Sequence, residues 1–274
     1  MRLRQNVKIR QILLCLSFIV VISGCAAPAA LLQKEADGYQ LQRHSLHGDP
    51  FTHIAYTKNL QHKNQRLHIY IEGDGTPWIA RYIVAKDPTP RTSIVFKLLN
   101  QDSQPSLYLG RPCYLGQANS PHCQPIYWTH KRHAPEIIQS MTSALQHFLN
   151  EYPATELVFI GHSGGGAIAM LLAQHFPQTQ AIVTLAGNLN IDDWTNYHGY
   201  TPLHGSLNPA DLPPYAAHIR QIHLVAKDDR VVPAHMIKAA LSNQPHSEII
   251  SVENTTHTCC WEEVWPDILK KLAH

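Results

Sequence analysis

Short apolar runs and longer amphipathic runs alternate along most of this chain. Leu67 to Ile71, in "RLHIYIEGDG", is an apolar run broken by Gly73 and Gly75, the pattern of a buried strand. "TSIVFKLLNQ" carries apolar positions at helical spacing, and "SLYLG" reads as a short strand. "APEIIQSMTSALQHFLNEY" predicts an amphipathic helix with Pro135 near its start. "ELVFIGHS" predicts a buried strand and "GGAIAMLLAQHF" the helix after it. "AIVTLAG" is a further strand. "HIRQIHLVAKDD" is another, followed by the helix "PAHMIKAALS". "EIISVEN" is the last strand and "CWEEVWPDILKKLA" the last helix. Upstream, "YQLQRHSL" and "FTHIAYTKN" read as two modest strands. Strands alternating with helices predict an α/β domain built on a mostly parallel sheet of about eight strands, with helices on both faces. Ligands in such sheets bind at the carboxyl ends of the strands. Residues 74–90, 110–132 and 187–217 show no clear period and are candidate walls or lids of a site.

Composition adds bounds. The chain has 274 residues, 44% of them hydrophobic, which suits one fairly large domain with a sizeable core, here placed over residues 38–274. The first 25 residues read as a targeting segment. Arg2, Arg4, Lys8 and Arg10 give a basic start, and the apolar run from Ile12 to Ile22 is short for a membrane span. The run ends in Val21-Ile22-Ser23-Gly24-Cys25-Ala26, which resembles a bacterial lipobox. That resemblance implies a signal peptide over residues 1–24, lipid on Cys25, a tether over residues 25–37 and attachment to a membrane. Ala26 after the cysteine implies the outer membrane, facing the periplasm. Removing residues 1–24 takes away those four basic residues and no acidic one, leaving 18 basic against 20 acidic groups. The basic excess therefore belongs to the signal, and nothing points to a nucleic-acid surface.

Four cysteines remain beyond Cys25: Cys113, Cys123, Cys259 and Cys260. An exported location permits disulfides, and four cysteines allow three pairings. Cys113 and Cys123 flank the loop "RPCYLGQANSPHCQP", which a bridge would pin. Cys259 and Cys260 are adjacent and either bridge to each other, bond to the first pair, or stay reduced as small apolar residues. Zinc spacing is absent, so no metal is expected.

The chemistry concentrates at "LVFIGHSGGGAIAM". Gly161-His162-Ser163-Gly164-Gly165 joins a predicted strand to a predicted helix, the nucleophile-elbow pattern. Small residues at 161 and 165 would let strand and helix pack around a sharp turn that lifts the serine hydroxyl over the sheet edge. The helix N-terminus beneath it favours developing negative charge. A serine needs a base, and the base needs an acid to orient it. Asp228 and Asp229 end the strand "HIRQIHLVA", and His257 follows the last strand. His162 adjoins the serine, but its side chain is expected to point away from it. His246 lies at the opposite end of the sheet.

With Ser, acid and His in that order, the chain resembles the α/β-hydrolase superfamily across roughly residues 38–274. The patches "YIEGDGTPW", "GHSGGG" and "HTCCW" are also similar to a bacterial lipoprotein branch of it. The resemblance implies Ser163 as nucleophile and His257 as base. The register of "DDRVVP" selects Asp229 as the acid, with Asp228 the alternative and Asp192 or Asp193 a remoter position. It further implies an oxyanion hole from the backbone N–H groups of Gly164 and Asp74, Gly73 being the alternative to Asp74. Glu72 departs from the family's His at that point. The implied activity is a lipid-anchored serine hydrolase of the cell envelope. It would act on a small-molecule acyl substrate, a carboxylic ester before an amide or peptide, with no organic cofactor. A catalytically silent envelope-binding lipoprotein on the same scaffold is the rival class.

Overall fold

The computed structural model describes residues 27–273. Residues 1–24, read above as a signal peptide, and Cys25 lie outside the described residues. Ten strands and seven helices follow in chain order: α1 (Pro28–Gly38), β1 (Gln42–His47), β2 (Thr52–Lys58), β3 (Asn64–Ile71), β4 (Trp78–Ile79), β5 (Ile83–Val84), α2 (Ile94–Gln101), β6 (Ser106–Leu109), α3 (Pro135–Glu151), β7 (Ala154–His162), α4 (Gly164–Ala173), β8 (Thr179–Leu185), α5 (Ile191–His198), β9 (Arg220–Ala226), α6 (Ala234–Ala240), β10 (Ser247–Val252) and α7 (Trp261–Leu272).

Eight strands form one sheet in the order β1-β2-β6-β3-β7-β8-β9-β10. From β6 to β10 every neighbour is parallel, while β2 runs antiparallel to both β1 and β6. In β3, β7, β8 and β9 consecutive residues are buried, so both faces are covered, as a parallel sheet requires. Helix α2 packs on α7, and α3 packs on α4. This is the predicted α/β architecture. The strands β3, β7, β9 and β10 all deliver their carboxyl ends to one edge, where the loops to Asp74, Ser163, Asp229 and His257 begin.

The structure departs from the sequence reading at several points, the β4–β5 pair within residues 74–90 among them. Residues expected to be a tether fold as α1, because Pro28 starts a turn and Leu32 and Ala36 share a face that is fully buried. Tyr56 donates to Gln33 across 2.8 Å, and the Ser93 N–H donates to Glu35 across 3.1 Å, fixing α1 to the domain. Within residues 187–217, where no period is legible, Asn190 caps α5 by accepting from the Asp193 N–H, and Gly199 ends it with φ +64°.

Several histidines are core residues. His53 bonds Ser140 and the Gly110 carbonyl, and His223 bonds Thr184, all inside the domain. Burial holds His53 down to about 4, His162 down to about 4 and His223 down to about 3. Between these values and the ordinary 6.5 the unfolded chain binds protons that the folded chain refuses. Folding stability is therefore fully present above about pH 6.5 and falls as pH drops toward 4, each group adding up to about 1.4 kcal/mol per pH unit. Urea unfolding at pH 7.5, 6 and 5 is expected to show a falling midpoint. A flat midpoint over that range would contradict the buried neutral imidazoles.

Candidate active site

Ser163 joins β7 directly to α4 with φ 53° and ψ −121°, a strained backbone for a residue with a Cβ. Its N–H donates to Leu185 O across 2.9 Å, and its carbonyl accepts from the N–H groups of Gly166 and Asn188, so the strained turn is held from three sides. A Cβ on Gly161 would lie 2.1 Å from Gly165 O, and one on Gly165 would lie 2.3 Å from Ile71 O. Strand and helix touch here backbone to backbone, which is why both positions are glycine.

The structure brings Ser163, His257 and Asp229 into one hydrogen-bonded chain. His257 Nε2 lies 3.0 Å from Ser163 Oγ, and His257 Nδ1 lies 2.8 Å from Asp229 Oδ2. The other Asp229 oxygen accepts from the Val231 and Val232 N–H groups at 2.7 and 2.9 Å. One carboxylate therefore caps the turn before α6 and also faces the imidazole. Its burial would raise its pKa, but the hydrogen bond and charge of His257, with the two backbone N–H groups, outweigh burial and hold it below the usual carboxylate range. Asp228 is exposed to solvent. Asp192 accepts from Asn208 and Asp193 from Asn190, so both belong to the start of α5.

The loop bearing His257 is held by its own carbonyl. His162 Nε2 donates to His257 O across 2.7 Å, and Trp261 Nε1 donates to the same oxygen across 3.1 Å. His162 does not bond the Ser163 hydroxyl; it braces the residue that does. Its neutral state, kept by burial, leaves it a stable donor in this geometry. Cys259 and Cys260 are bonded to each other just beyond, and Cys113 is bonded to Cys123 across the loop they flank.

On the other side of Ser163, the turn after β3 is built around two carboxyl groups. Glu72 is buried. It accepts from Ser93 Oγ and from the Gly73 N–H at 3.1 Å, tying the turn to the start of α2. Burial raises its pKa. The Asp74 carboxylate takes Arg111 Nη1 at 2.5 Å and Arg132 Nη1 at 2.7 Å. Burial opposes its charge, yet Arg132 and Arg111 together hold it well below the usual range. It lies directly against Gly164, where an added Cβ would sit 2.1 Å from Asp74 Oδ1. The Gly73 N–H is spent on Glu72, whereas the N–H groups of Asp74 and Gly164 have no acceptor among the described residues. Glu72 and His162 lie inside quoted motifs but were given no role from the sequence, and Arg111 and Arg132 were not singled out at all.

These groups open on a cavity of about 930 Å³. Trp78, Tyr82, Trp194 and Tyr200 contribute aromatic wall, and Arg81 and Arg91 contribute charge. The wall draws on two of the three stretches that lacked a period, 74–90 and 187–217, and on His130 and Arg132 at the end of the third.

Asp74→Asn would strand two buried guanidinium groups without their carboxylate. It is expected to lower the unfolding free energy by about 3 to 5 kcal/mol, as when one partner of a buried ion pair is lost. Asp228→Asn, at an exposed position, is expected to stay within about 0.5 kcal/mol of the parent. Chemical denaturation of both variants measures the difference.

Comparison with known proteins bears on the fold that carries this arrangement. A family model described as Lipase (class 3) matches residues 116–187, a stretch that includes Ser163 but well under half of the chain. Among curated proteins, none matches the sequence. Solved structures match throughout. A membrane phospholipase A described as a bacterial virulence factor superposes with a TM-score of 0.59 at 13% identity, covering 98% of this chain and 99% of that one. An α/β serine hydrolase without a lid, from Xanthomonas campestris, gives 0.52 at 11% identity, covering 85% and 92%. A puromycin-hydrolyzing peptidase from Mycobacterium tuberculosis gives 0.57 at 11% identity, covering 85% of this chain and 38% of that one. At such identities the likeness speaks to the fold alone.

Proposed function

We propose that this chain, which has the α/β-hydrolase fold, is a serine hydrolase that cleaves carboxylic esters through an acyl-enzyme. The observation that carries the reading is the Ser163–His257–Asp229 hydrogen-bonded chain, opening on the cavity at the carboxyl edge of the sheet. Ser163 Oγ attacks the acyl carbonyl while His257 Nε2 takes its proton. Asp229 keeps the imidazole in the tautomer with hydrogen on Nδ1 and stabilises its charged form. The tetrahedral oxyanion is held by the N–H groups of Gly164 and Asp74, both unused by protein acceptors among the described residues. His257 then returns the proton to the leaving oxygen. Water, deprotonated by the same imidazole, releases the acid. The class 3 lipase match around Ser163 and the phospholipase among the structural neighbours favour an ester over an amide. The peptidase among those neighbours keeps the amide reading as the alternative on the same residues.

We further propose that residues 1–24 are a signal peptide and that Cys25 carries lipid, which would hold the domain at the cell envelope, on the outer membrane facing the periplasm. The support is the lipobox pattern "VISGCA" behind a basic start and a short apolar run.

Ser163→Ala is expected to leave the fold intact and cut turnover of an activated ester by ~10⁴-fold or more, with loss of labelling by a fluorophosphonate probe. Labelling of the parent at Ser163 separates the enzyme from a silent scaffold. Near-full activity in the variant would remove the mechanism. Esters and amides of graded chain length, tested side by side, decide between the two enzyme readings. Cys25→Ala is expected to move the protein out of the membrane fraction or leave its signal uncleaved. Normal processing with unchanged attachment would count against the anchor.

A further inference from the structure

Beyond the cavity, the segment after β3 forms a small projecting hairpin. β4 and β5 pair only with each other and join no strand of the main sheet. The root of this hairpin is anchored. Trp128 Nε1 donates to Ala85 O across 3.0 Å, the Leu115 N–H donates to Thr89 Oγ1 across 2.7 Å, and the Thr76 N–H donates to Pro88 O across 2.8 Å. Its tip is bare: Ile79, Tyr82 and Ile83 are 52%, 87% and 62% exposed. Across the same cavity mouth Val231 and Tyr200 are also exposed, and the exposed Tyr197 on α5 packs against His198, which stacks on Tyr200. Apolar and aromatic side chains left in water around the mouth of a site, and not scattered over the surface, mark a contact surface.

Charge identifies the partner. Between Gly75 and Thr92 the chain carries Arg81, Lys86 and Arg91 against Asp87 alone, and the Asp87 carboxylate is occupied by the Thr89 N–H at 2.9 Å. Arg81 and Arg91 are exposed and line the cavity. A second copy docked symmetrically on this face would bring like charges together. A surface that accepts tyrosine and isoleucine at its boundary and offers negative charge just above fits both features. No described helix is long and apolar enough to cross a membrane.

We propose that the β4–β5 hairpin and the rim around Tyr200 and Val231 dock on an anionic lipid bilayer and set the cavity mouth against it. An acyl lipid then reaches Ser163 from the bilayer without crossing water. The substrate half of this inference rests on the serine-hydrolase reading, and the docking half does not.

The test uses the full chain and hydrogen exchange, which reads the hairpin locally whether or not the N-terminus carries lipid. Vesicles of phosphatidylcholine alone are compared with vesicles that also contain phosphatidylglycerol. The amides of residues 79–83 are expected to slow by about ten-fold or more with phosphatidylglycerol and to change little without it. The Ile79→Ser, Ile83→Ser double variant is expected to lose that protection. It should keep hydrolysis of a water-soluble short-chain ester and lose about ten-fold or more on a long-chain ester carried in the anionic vesicles. Arg81→Gln with Arg91→Gln is expected to abolish the preference for phosphatidylglycerol. Unchanged exchange with both vesicles would overturn the proposal. So would protection that rises with protein concentration in the absence of lipid, the mark of a second copy, or full activity of the serine variant on the vesicle ester. If no ester is cleaved in any form, the hydrolase reading fails while the exchange measurement still decides the docking.

Discussion

At the end of β7 the chain turns from strand to helix with no room for side chains, and residues 161 and 165 meet across bare backbone. That close approach sets the position of Ser163, whose side chain faces the cavity from the point of the turn. Moving the helix outward by even the width of a methyl group would tilt the Ser163 hydroxyl away from His257 Nε2, now at 3.0 Å. It would also turn the Gly164 N–H away from the serine. The register of β7 between β3 and β8 then carries the constraint outward, since β3 brings the Asp74 turn to the same level.

The electrostatics of the site follow from what that packing buries. A carboxylate pressed against Gly164 would by itself repel negative charge forming over the serine. Two guanidinium groups on Asp74 reverse the balance, leaving the cluster with one excess positive charge. On the opposite side Asp229 supplies the negative charge that an imidazolium at His257 would need. The two carboxylates thus sit in contrasting surroundings: one is overcompensated by arginine, and the other is left to act on a histidine. Glu72, whose burial opposes ionisation, serves as a tie between the β3 turn and Ser93.

Holding the histidine is a separate problem, because His257 stands on a loop between β10 and α7. Two donors on its carbonyl, His162 and Trp261, give that loop a fixed backbone point. His162 follows the glycine of the elbow, so the strand that presents the nucleophile also braces the base. Part of the cavity wall, by contrast, comes from a segment with few ties to the sheet, through Trp78, Arg81 and Tyr82 of the hairpin. Rigid chemistry at the sheet edge and loosely held walls around it are the usual division of labour in this kind of scaffold.

Much of this was legible in the residues themselves. Hydrophobic pattern marked the strands β3, β6, β7, β8, β9 and β10 and the helices α2, α3, α4, α6 and α7: burial on one face of a helix leaves a repeat of about three and a half, and burial on both faces of a strand leaves a short continuous apolar run. Gly161, Ser163 and Gly165 announced a sharp turn through local sterics, and Asp229 and His257 stood out by their place after strand ends. Other features depend on partners that no local pattern encodes. Asp74 meets Arg111 and Arg132 across 37 and 58 residues of chain, and His162 meets the His257 carbonyl across 95. Arginine and histidine are ordinary loop residues until the fold buries them, and only then does desolvation give each a required partner. The same holds for α1, whose inward face is little more than Leu32 and Ala36 and declares itself only when the domain covers them. The order of the elements and the reacting side chains was thus written in local sterics and periodicity. The supports around those side chains were decided by tertiary packing, because a charge or a hydrogen-bond donor is constrained only when water has been removed from it.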